Sequence, residues 1–487
     1  MKASDLSIQI PKKYWFAGLA AILVISVGGA LALDSFLPLL LPGAVLFVAW
    51  AVLDTPAIYT LYFALLPFSV ETYFSNGLGT DLPTEPIMLG LTALTVIYLV
   101  RNIQNISGWI IAHPINLALL LHLTWLAFAT VYSVDTLISF KFLLAKSWYV
   151  ISLFVLSWLL IDTPEKLKRI IKIYLIALLV VVVYALVNHA LDGFTFVASN
   201  FVMAPFYRNH VNYGAALTIA IPFLWFFFTS ENGGRWLWML YFLILMVAVY
   251  FAYLRAAYVA MVAIFGTYYI VRWRLMRPVL VLSLIVAVFG VLQIIEENRY
   301  LELAPDYEKT IAHKEFDDLL SATAKGEDIS TMERIYRWVA GYQMIREKTW
   351  LGFGPGTFYE NYKPYTVKSF ETYVSDNPEK SGIHSYYLMT LVEQGIPGLV
   401  VFLILVITVL VYGEGLYHRL DDPVKKRWVL ALLMCYVGIA VFQIINDLVE
   451  TDKIGTFFFL CMAVLSRWDS DLRLVGLPSS DKASEKP

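Results

Sequence analysis

The chain has 487 residues, of which 59% are apolar and 15% are charged, with a mean hydropathy of +0.68 and a net charge of −2. Soluble domains are about 45–50% apolar and about 25% charged, so a soluble enzyme, a secreted disulfide scaffold and a nucleic-acid-binding protein are excluded. One spanning helix takes about 20 apolar residues, so roughly 287 apolar residues leave room for about fourteen spans. This composition predicts an all-α polytopic integral membrane protein.

Long apolar runs bounded by charges or turn residues predict 12–14 transmembrane helices. The fourteen candidates lie at 14–33, 36–53, 57–74, 86–100, 115–132, 143–161, 170–191, 211–229, 236–254, 256–271, 278–295, 385–412, 428–449 and 453–466. The first run ends in Ala30-Leu31-Ala32, which is similar to a signal-peptide cleavage site. Because a second apolar run follows at once, we interpret the first run as a membrane anchor, with cleavage as the alternative.

The distribution of Lys and Arg predicts the orientation. With the N-terminus in the cytoplasm, 20 of the 36 Lys and Arg lie on the inner side, 5 lie on short outer connections, and 11 lie in segment 296–384. Short loops carry the positive-inside signal, so both termini are predicted to be cytoplasmic. The chain then divides into an N-terminal bundle (1–295), a large outer loop (296–384), C-terminal helices (385–466) and a disordered cytoplasmic tail (467–487).

The outer loop is the only connection long enough to fold over the membrane surface. Its first half, through Glu315 and Glu327, is polar and is predicted to be helical, and its second half is rich in Tyr and Gly. Charges near the hydrocarbon layer usually face an aqueous cavity or a partner. Residues predicted to lie on the outer side are therefore the candidates for an outer site.

Three outer segments carry these candidates. Arg255 occupies a tight turn between two spans, where snorkelling to the interface is the alternative interpretation. A second segment, 207–214 (YRNHVNYG), is unusually polar for a span boundary, although helix capping would also account for it. His384 lies where the outer loop re-enters an apolar helix, and Gly395 and Pro397 downstream indicate a broken helix, which at membrane depth normally lines a cavity.

Metal chemistry has little support in the sequence. Asp469-Ser470-Asp471 falls in the predicted cytoplasmic tail, and the first outer turn offers Asp34 alone. Cys435 and Cys461 lie in apolar runs and form no metal-binding spacing. We therefore expect no metal and no cofactor.

Four motifs stand out in the second half of the chain: 332–338 (MERIYRW), 351–358 (LGFGPGTF), 384–388 (HSYYL) and 393–398 (EQGIPG). In this order they resemble the O-antigen ligase and polymerase superfamily. The layout is also similar, with many spans, one large late outer loop, and two or three spans after it. Two departures concern the subfamily: Ser385 follows the histidine where Asn is common, and Arg255 is preceded by Leu and followed by Ala where relatives often have Ser and Gly.

The resemblance implies a GT-C-like architecture and a metal-independent, inverting glycosyltransferase. Its donor would be a glycan on undecaprenyl diphosphate, and its acceptor the lipid A core or another glycan, on the periplasmic face of a bacterial inner membrane. Carried over by residue, the resemblance implies catalytic roles for His384, Arg255 and Arg208. The predicted substrate-binding residues are Arg337, Arg334, Tyr207, His210, Asn212 and Tyr386.

The residue types suit that chemistry. Arginine stays protonated and grips phosphate oxygens in a fork, so it can neutralise a diphosphate leaving group. Histidine, with an ordinary pKa of about 6.5, suits a general base that removes the proton of the acceptor hydroxyl. The expected partners are thus the lipid-linked donor, the glycan acceptor and membrane lipids, without nucleic acid.

Three alternatives stay open. An O-antigen or exopolysaccharide polymerase of the same superfamily would use another carrier-linked repeat as acceptor, although the single late loop favours a ligase. A transporter or flippase would have paired repeats with matched broken helices and charges at the bilayer midplane. A metal-dependent lipid-linked glycosyltransferase would need an acidic first outer loop.

Overall fold

The computed structural model describes residues 12–32, 34–35, 37–73, 79–105, 112–230, 233–304, 328–372, 375–377 and 381–475. Among them we number fifteen helices and two strands. The helices are α1 (Lys12–Ala32), α2 (Leu41–Leu53), α3 (Thr55–Leu65), α4 (Thr84–Arg101), α5 (Pro114–Val131), α6 (Thr136–Leu160), α7 (Pro164–Leu191), α8 (His210–Ser230), α9 (Arg235–Phe251), α10 (Arg255–Arg272), α11 (Met276–Ile295), α12 (Ile329–Glu347), α13 (Tyr386–Arg419), α14 (Pro423–Ile445) and α15 (Asp452–Val475). The antiparallel strands β1 (Val70–Tyr73) and β2 (Gly79–Leu82) form a small hairpin, with Val70 opposite Leu82.

Each of the fourteen predicted apolar runs coincides with a helix, and the all-α polytopic fold class is confirmed. Within the described residues, eight helices are long and apolar enough to cross a membrane, or nine if the α2–α3 pair, bent by 116°, counts as one span. This is fewer than the predicted 12–14 spans. Among the remaining helices, α9 has 17 residues, α10 has an arginine at each end, and the last turns of α15 are charged.

Two predicted boundaries need correction. The third run, 57–74, was expected to be helical throughout, but α3 ends at Leu65 because Pro67 follows, and the chain continues into β1. The tail was predicted to be disordered from residue 467, yet α15 continues to Val475 and packs the Trp468 ring in the protein interior. Residues 476–487 and 305–327, including the predicted helical first half of the outer loop, lie outside the described residues.

The helices α8 and α14 form the centre of the bundle, and α11 lies at its outside. In their most apolar windows, 78% of α8 and 72% of α14 residues are buried, against 0% in α11. The rings of Phe226 and Trp428 stack across the α8–α14 contact with centroids 3.8 Å apart. The bundle is thus held together by large aromatic side chains on its central helices.

Contacts made by the segments that join the helices define the two ends of the bundle. At the end that we call the loop end, the outer-loop segment meets the α5–α6 turn (Val134 N to Phe353 O, 2.9 Å) and the α14–α15 connection (Tyr386 N to Asn446 O, 3.1 Å). At the opposite end, called the tail end, Met276 N donates to Glu414 Oε1 at 3.0 Å.

The helix α13 is broken near the loop end, as its Gly and Pro predicted. Gly395 has φ 69° and ψ −175°, and a Cβ there would overlap the carbonyl of Trp350, so only glycine fits. The glycine-rich segment 352–356 packs into the break: the Glu393 carboxylate accepts hydrogen bonds from Gly356 N at 2.8 Å and Phe358 N at 3.1 Å. The break in α13 therefore binds the outer-loop segment through Glu393. The sequence predicts a cavity lining at this position.

Candidate functional site

Arginine and histidine side chains from separate parts of the chain meet at the loop end. Arg255 begins α10, and its Nη2 lies 2.8 Å from Asp328 Oδ2, in the residue that caps α12. One turn into α12, Arg334 lies close enough to Arg255 that the two positive charges repel. Arg337 is one turn further, and His384 is at the end of the outer loop. We call Arg255, Asp328, Arg334, Arg337 and His384 the arginine cluster.

The position of Asp328 follows from its role at the start of α12. Its carboxylate accepts hydrogen bonds from Thr331 N at 3.1 Å and Thr331 Oγ1 at 2.6 Å, which caps the helix. Burial acts to raise the pKa of Asp328, but the hydrogen bonds from Thr331 and Arg255 outweigh it and hold the pKa below its ordinary value. Asp328 is therefore ionised, and it fixes Arg255 against the N-terminus of α12.

Two side chains of α12 hold the backbone before His384. The Nη1 of Arg337 donates to Gly382 O at 3.4 Å, and Nε1 of Trp338 donates to Ile383 O at 3.0 Å. His384 itself has φ +56°, a left-handed conformation that is uncommon for residues other than glycine. These contacts from α12 stabilise that conformation and place the imidazole beside the arginines.

The electrostatics of the cluster keep His384 neutral. Burial, followed by the positive charges of Arg334 and Arg337, lowers the pKa of His384 to about 3. Burial and the charge of Arg255 lower the pKa of Arg334 to about 10, so this guanidinium remains charged near neutral pH. The site thus combines fixed positive charge with an uncharged imidazole that can accept a proton.

Several polar atoms of the cluster have unused hydrogen-bonding capacity. Within the described residues, Asp328 Oδ1, Arg334 Nε, Arg337 Nε and the neighbouring His210 Nδ1 are buried without a hydrogen-bond partner. His384 also makes no hydrogen bond to the part of the chain that the structure describes. Buried unpaired polar atoms cost about 1–3 kcal/mol each, so a ligand that supplies oxygens and negative charge would satisfy the Nε donors of Arg334 and Arg337.

Other predicted residues lie around this cluster. His210 begins α8 and experiences the charges of Arg334 and Arg255, and Asn212 follows in the same first turn, its backbone N donating to Asn209 Oδ1 at 3.0 Å. Arg208 is 46% exposed, and its Nη1 lies 3.8 Å from Glu71 Oε1 at the β1–β2 hairpin. Arg208 is therefore at the edge of the loop end.

Two predicted residues are placed in the packed interior. The Tyr207 ring is buried, with Lys453 Nζ 5.1 Å from its centroid. The Tyr386 hydroxyl accepts from Lys146 Nζ at 3.1 Å, and Lys146 pairs with Glu450 at 2.5 Å. Both tyrosines thus belong to the supporting layer behind the loop end.

The structure adds two aspartates that sequence reasoning missed. Asp328 precedes α12 in a helix-capping pattern, Asp-x-x-Thr, which could have drawn attention to it. Asp447 approaches Gly382, and burial raises its pKa against the opposing charges of Arg337 and Arg334. Asp447 fell within the predicted span 428–449, and an acidic residue inside an apolar run was the available signal.

The acidic, histidine and cysteine side chains of the described residues are scattered with respect to one another. Among them there is no group of three or more His, Cys, Asp or Glu side chains that could hold a metal ion. The ligand chemistry that the cluster does offer is that of an anion site, since arginine forks and the uncapped N-terminus of α10 both favour negative charge.

The fold and this site define a multi-pass membrane protein with an arginine- and histidine-lined polar site at one end of its bundle. Residues 240–403 match a family model described as O-antigen ligase, and this segment contains every member of the arginine cluster. The match covers about a third of the chain, and it confirms the resemblance of this segment to that superfamily and supports a role as an enzyme. Comparison with curated proteins gave no match.

Proposed function

We propose that this protein is a membrane-embedded ligase that transfers a glycan from undecaprenyl diphosphate to an acceptor hydroxyl at the loop end. The observation that carries the proposal is the meeting of Arg255, Arg334 and Arg337 with His384 inside the family-matched segment. The loop end would face the periplasm of a bacterial inner membrane, in line with the distribution of Lys and Arg. The acceptor would be the lipid A core.

In the proposed reaction, Arg255 and Arg334 bind the diphosphate. Arginine side chains stay protonated at neutral pH as a class, and charge-assisted hydrogen bonds from arginine to phosphate contribute about 1.5–3 kcal/mol each. The bond between the anomeric carbon and the phosphate oxygen breaks, and its electron pair stays on the diphosphate. The arginines stabilise the charge that develops there, which is the main requirement for this leaving group.

His384 would act as the general base. The acceptor oxygen forms the new bond to the anomeric carbon while its proton moves to the imidazole. An imidazole with a pKa of about 3 is a weak base, but a bound diphosphate offsets the charges of Arg334 and Arg337. Donor binding would therefore raise the pKa of His384 and give the base its strength only when the leaving group is in place.

The test uses purified protein in lipid nanodiscs with a lipid-linked glycan donor and lipid A core. Wild type should form the glycosylated acceptor, while His384→Ala and Arg255→Ala should lose it by at least about 100-fold and still elute as folded protein. Normal product from both variants would contradict the assignment. Glycan chains that lengthen on the carrier without reaching lipid A core would instead identify a polymerase.

A further inference from the structure

The contact between Arg255 and Asp328 places a negative charge inside a site proposed to bind a diphosphate. The Asp328 side chain is 1% exposed, and its Oδ2 accepts from Arg255 and from Thr331, while Oδ1 has no partner within the described residues. Helix capping alone does not require this charge, because Asn and Ser cap helices about as well as Asp. The carboxylate therefore has a consequence beyond capping, namely its effect on anions bound by Arg255.

The effect of the carboxylate on binding differs between the donor and the product of the reaction. The donor diphosphate is esterified at both ends and carries two negative charges. When the bond to the sugar breaks, the released diphosphate keeps the electron pair and one ester, and above a pKa of about 6 it carries a third charge. Because Coulomb repulsion grows with ligand charge, a fixed carboxylate beside Arg255 weakens binding of the product more than binding of the donor.

We propose that Asp328 is a positioning residue that holds Arg255 for the donor and, by its charge, promotes release of the diphosphate product. This inference rests on the proposed function. In the donor-free state Asp328 orients the Arg255 fork at 2.8 Å. When a diphosphate binds the Arg255 guanidinium in place of Asp328, the hydrogen bonds from Thr331 still hold the Asp328 carboxylate where it is. The repulsion between this carboxylate and the diphosphate therefore persists until the product leaves.

The experiment measures binding of two small probes by calorimetry at pH 8, on the full chain in nanodiscs. Dimethyl diphosphate, esterified at both ends, stands in for the donor, and methyl diphosphate stands in for the product. Asp328→Asn, and Asp328→Ser as a second variant, preserve the cap and remove the charge. Asp135→Asn is the matched control, since Asp135 caps α6 at the same end, accepting from Ile138 N at 3.0 Å, outside the arginine cluster.

The expected result is that Asp328→Asn tightens dimethyl diphosphate about tenfold and methyl diphosphate about thirtyfold, in proportion to two against three ligand charges, while Asp135→Asn changes neither by more than about twofold. Equal tightening of the two probes, no change, or weaker binding would each overturn the role in product release. The proposed function has its own readout: Arg255→Ala must abolish binding of both probes. Arg255-independent binding, or none in wild type, would overturn the site assignment itself and this inference with it.

Discussion

The two ends of the bundle carry clusters of nearly the same composition, and their hydrogen bonding separates them. The tail-end cluster consists of His113, Arg419, Asp469 and Arg473. There His113 Nε2 lies 3.0 Å from Asp469 Oδ2, His113 Nδ1 accepts from Ile115 N, and both arginines also donate to the carboxylate. Both oxygens of that aspartate and both ring nitrogens of that histidine are thus engaged.

The arginine cluster at the loop end has the same residue types with different hydrogen bonding. Asp328 keeps one oxygen unpaired, Arg334 and Arg337 each keep Nε unpaired, and His384 makes no hydrogen bond within the described residues. A cluster whose partners are all internal stabilises the fold, whereas one with spare donors and acceptors is ready for a ligand. Composition cannot distinguish these two cases, but the count of satisfied atoms can.

The largest expected effect is on catalysis at the loop end. His384→Ala should reduce the rate of glycan transfer by about 100- to 10,000-fold, the usual contribution of a general base. Replacement of the tail-end histidine, His113→Ala, should leave the rate per folded molecule unchanged. Single-turnover transfer in nanodiscs, normalised to folded protein by size-exclusion chromatography, measures both. A comparable loss in His113→Ala would show that the two ends do not differ in function.

The complementary expectation concerns stability at the tail end. Asp469→Ala leaves the buried His113 and two arginines without their shared acceptor, which should cost about 2–3 kcal/mol of unfolding free energy. This is below the value for a fully buried network because Arg419 and Arg473 are 42% and 45% exposed, so solvent screens their charges. Thermal unfolding in detergent measures it, with Asp471→Ala, which pairs only with Arg467 among the described residues, as the matched control. Equal melting temperatures for the two variants would contradict a closed network.

The transmembrane helices could be predicted from the sequence because the length of an apolar run is enough to identify each of them. A run of apolar residues long enough to cross the hydrocarbon layer requires a helix, since the backbone must satisfy its own hydrogen bonds there. The break at Gly395 was also predictable, because Gly and Pro disrupt the helix locally. The small hairpin was missed, since Pro67 and Glu71 lie inside a run whose average hydropathy hides them.

The site was only partly predictable, because its geometry depends on distant chain segments. Arg255 and His384 could be found as polar residues at predicted span boundaries. Their proximity depends on α12, whose Asp328, Arg337 and Trp338 hold them through contacts across 73, 45 and 45 residues of sequence. No local pattern encodes such pairings, so Tyr386 was grouped with the site although its side chain packs behind it.

A smaller effect is expected in the pH dependence of the reaction. In wild type the pKa of His384 lies near 3, so kcat/KM, which reports the free enzyme, should stay flat from pH 8 down to about pH 5. Arg334→Gln removes a positive charge that disfavours the imidazolium, so the pKa of His384 rises and the fall in kcat/KM begins at higher pH. Arg346→Gln, an exposed arginine of the same helix, is the control. If kcat/KM falls at the same pH in both variants, the charge of Arg334 does not control the pKa of His384.

The smallest expected effect tests where the loop-end site stops. Arg208 and Glu71 form an exposed pair at 3.8 Å, and such pairs contribute about 0–1 kcal/mol. If Arg208 attracts the donor from the edge without gripping the diphosphate, Arg208→Ala should raise KM about three- to tenfold and leave kcat unchanged, and added salt should reduce the difference. Glu71→Gln should lower KM slightly for the same electrostatic reason. A loss of kcat in Arg208→Ala as large as that in Arg255→Ala would place Arg208 in contact with the leaving group, and the catalytic site would then extend from α12 to the β1–β2 hairpin.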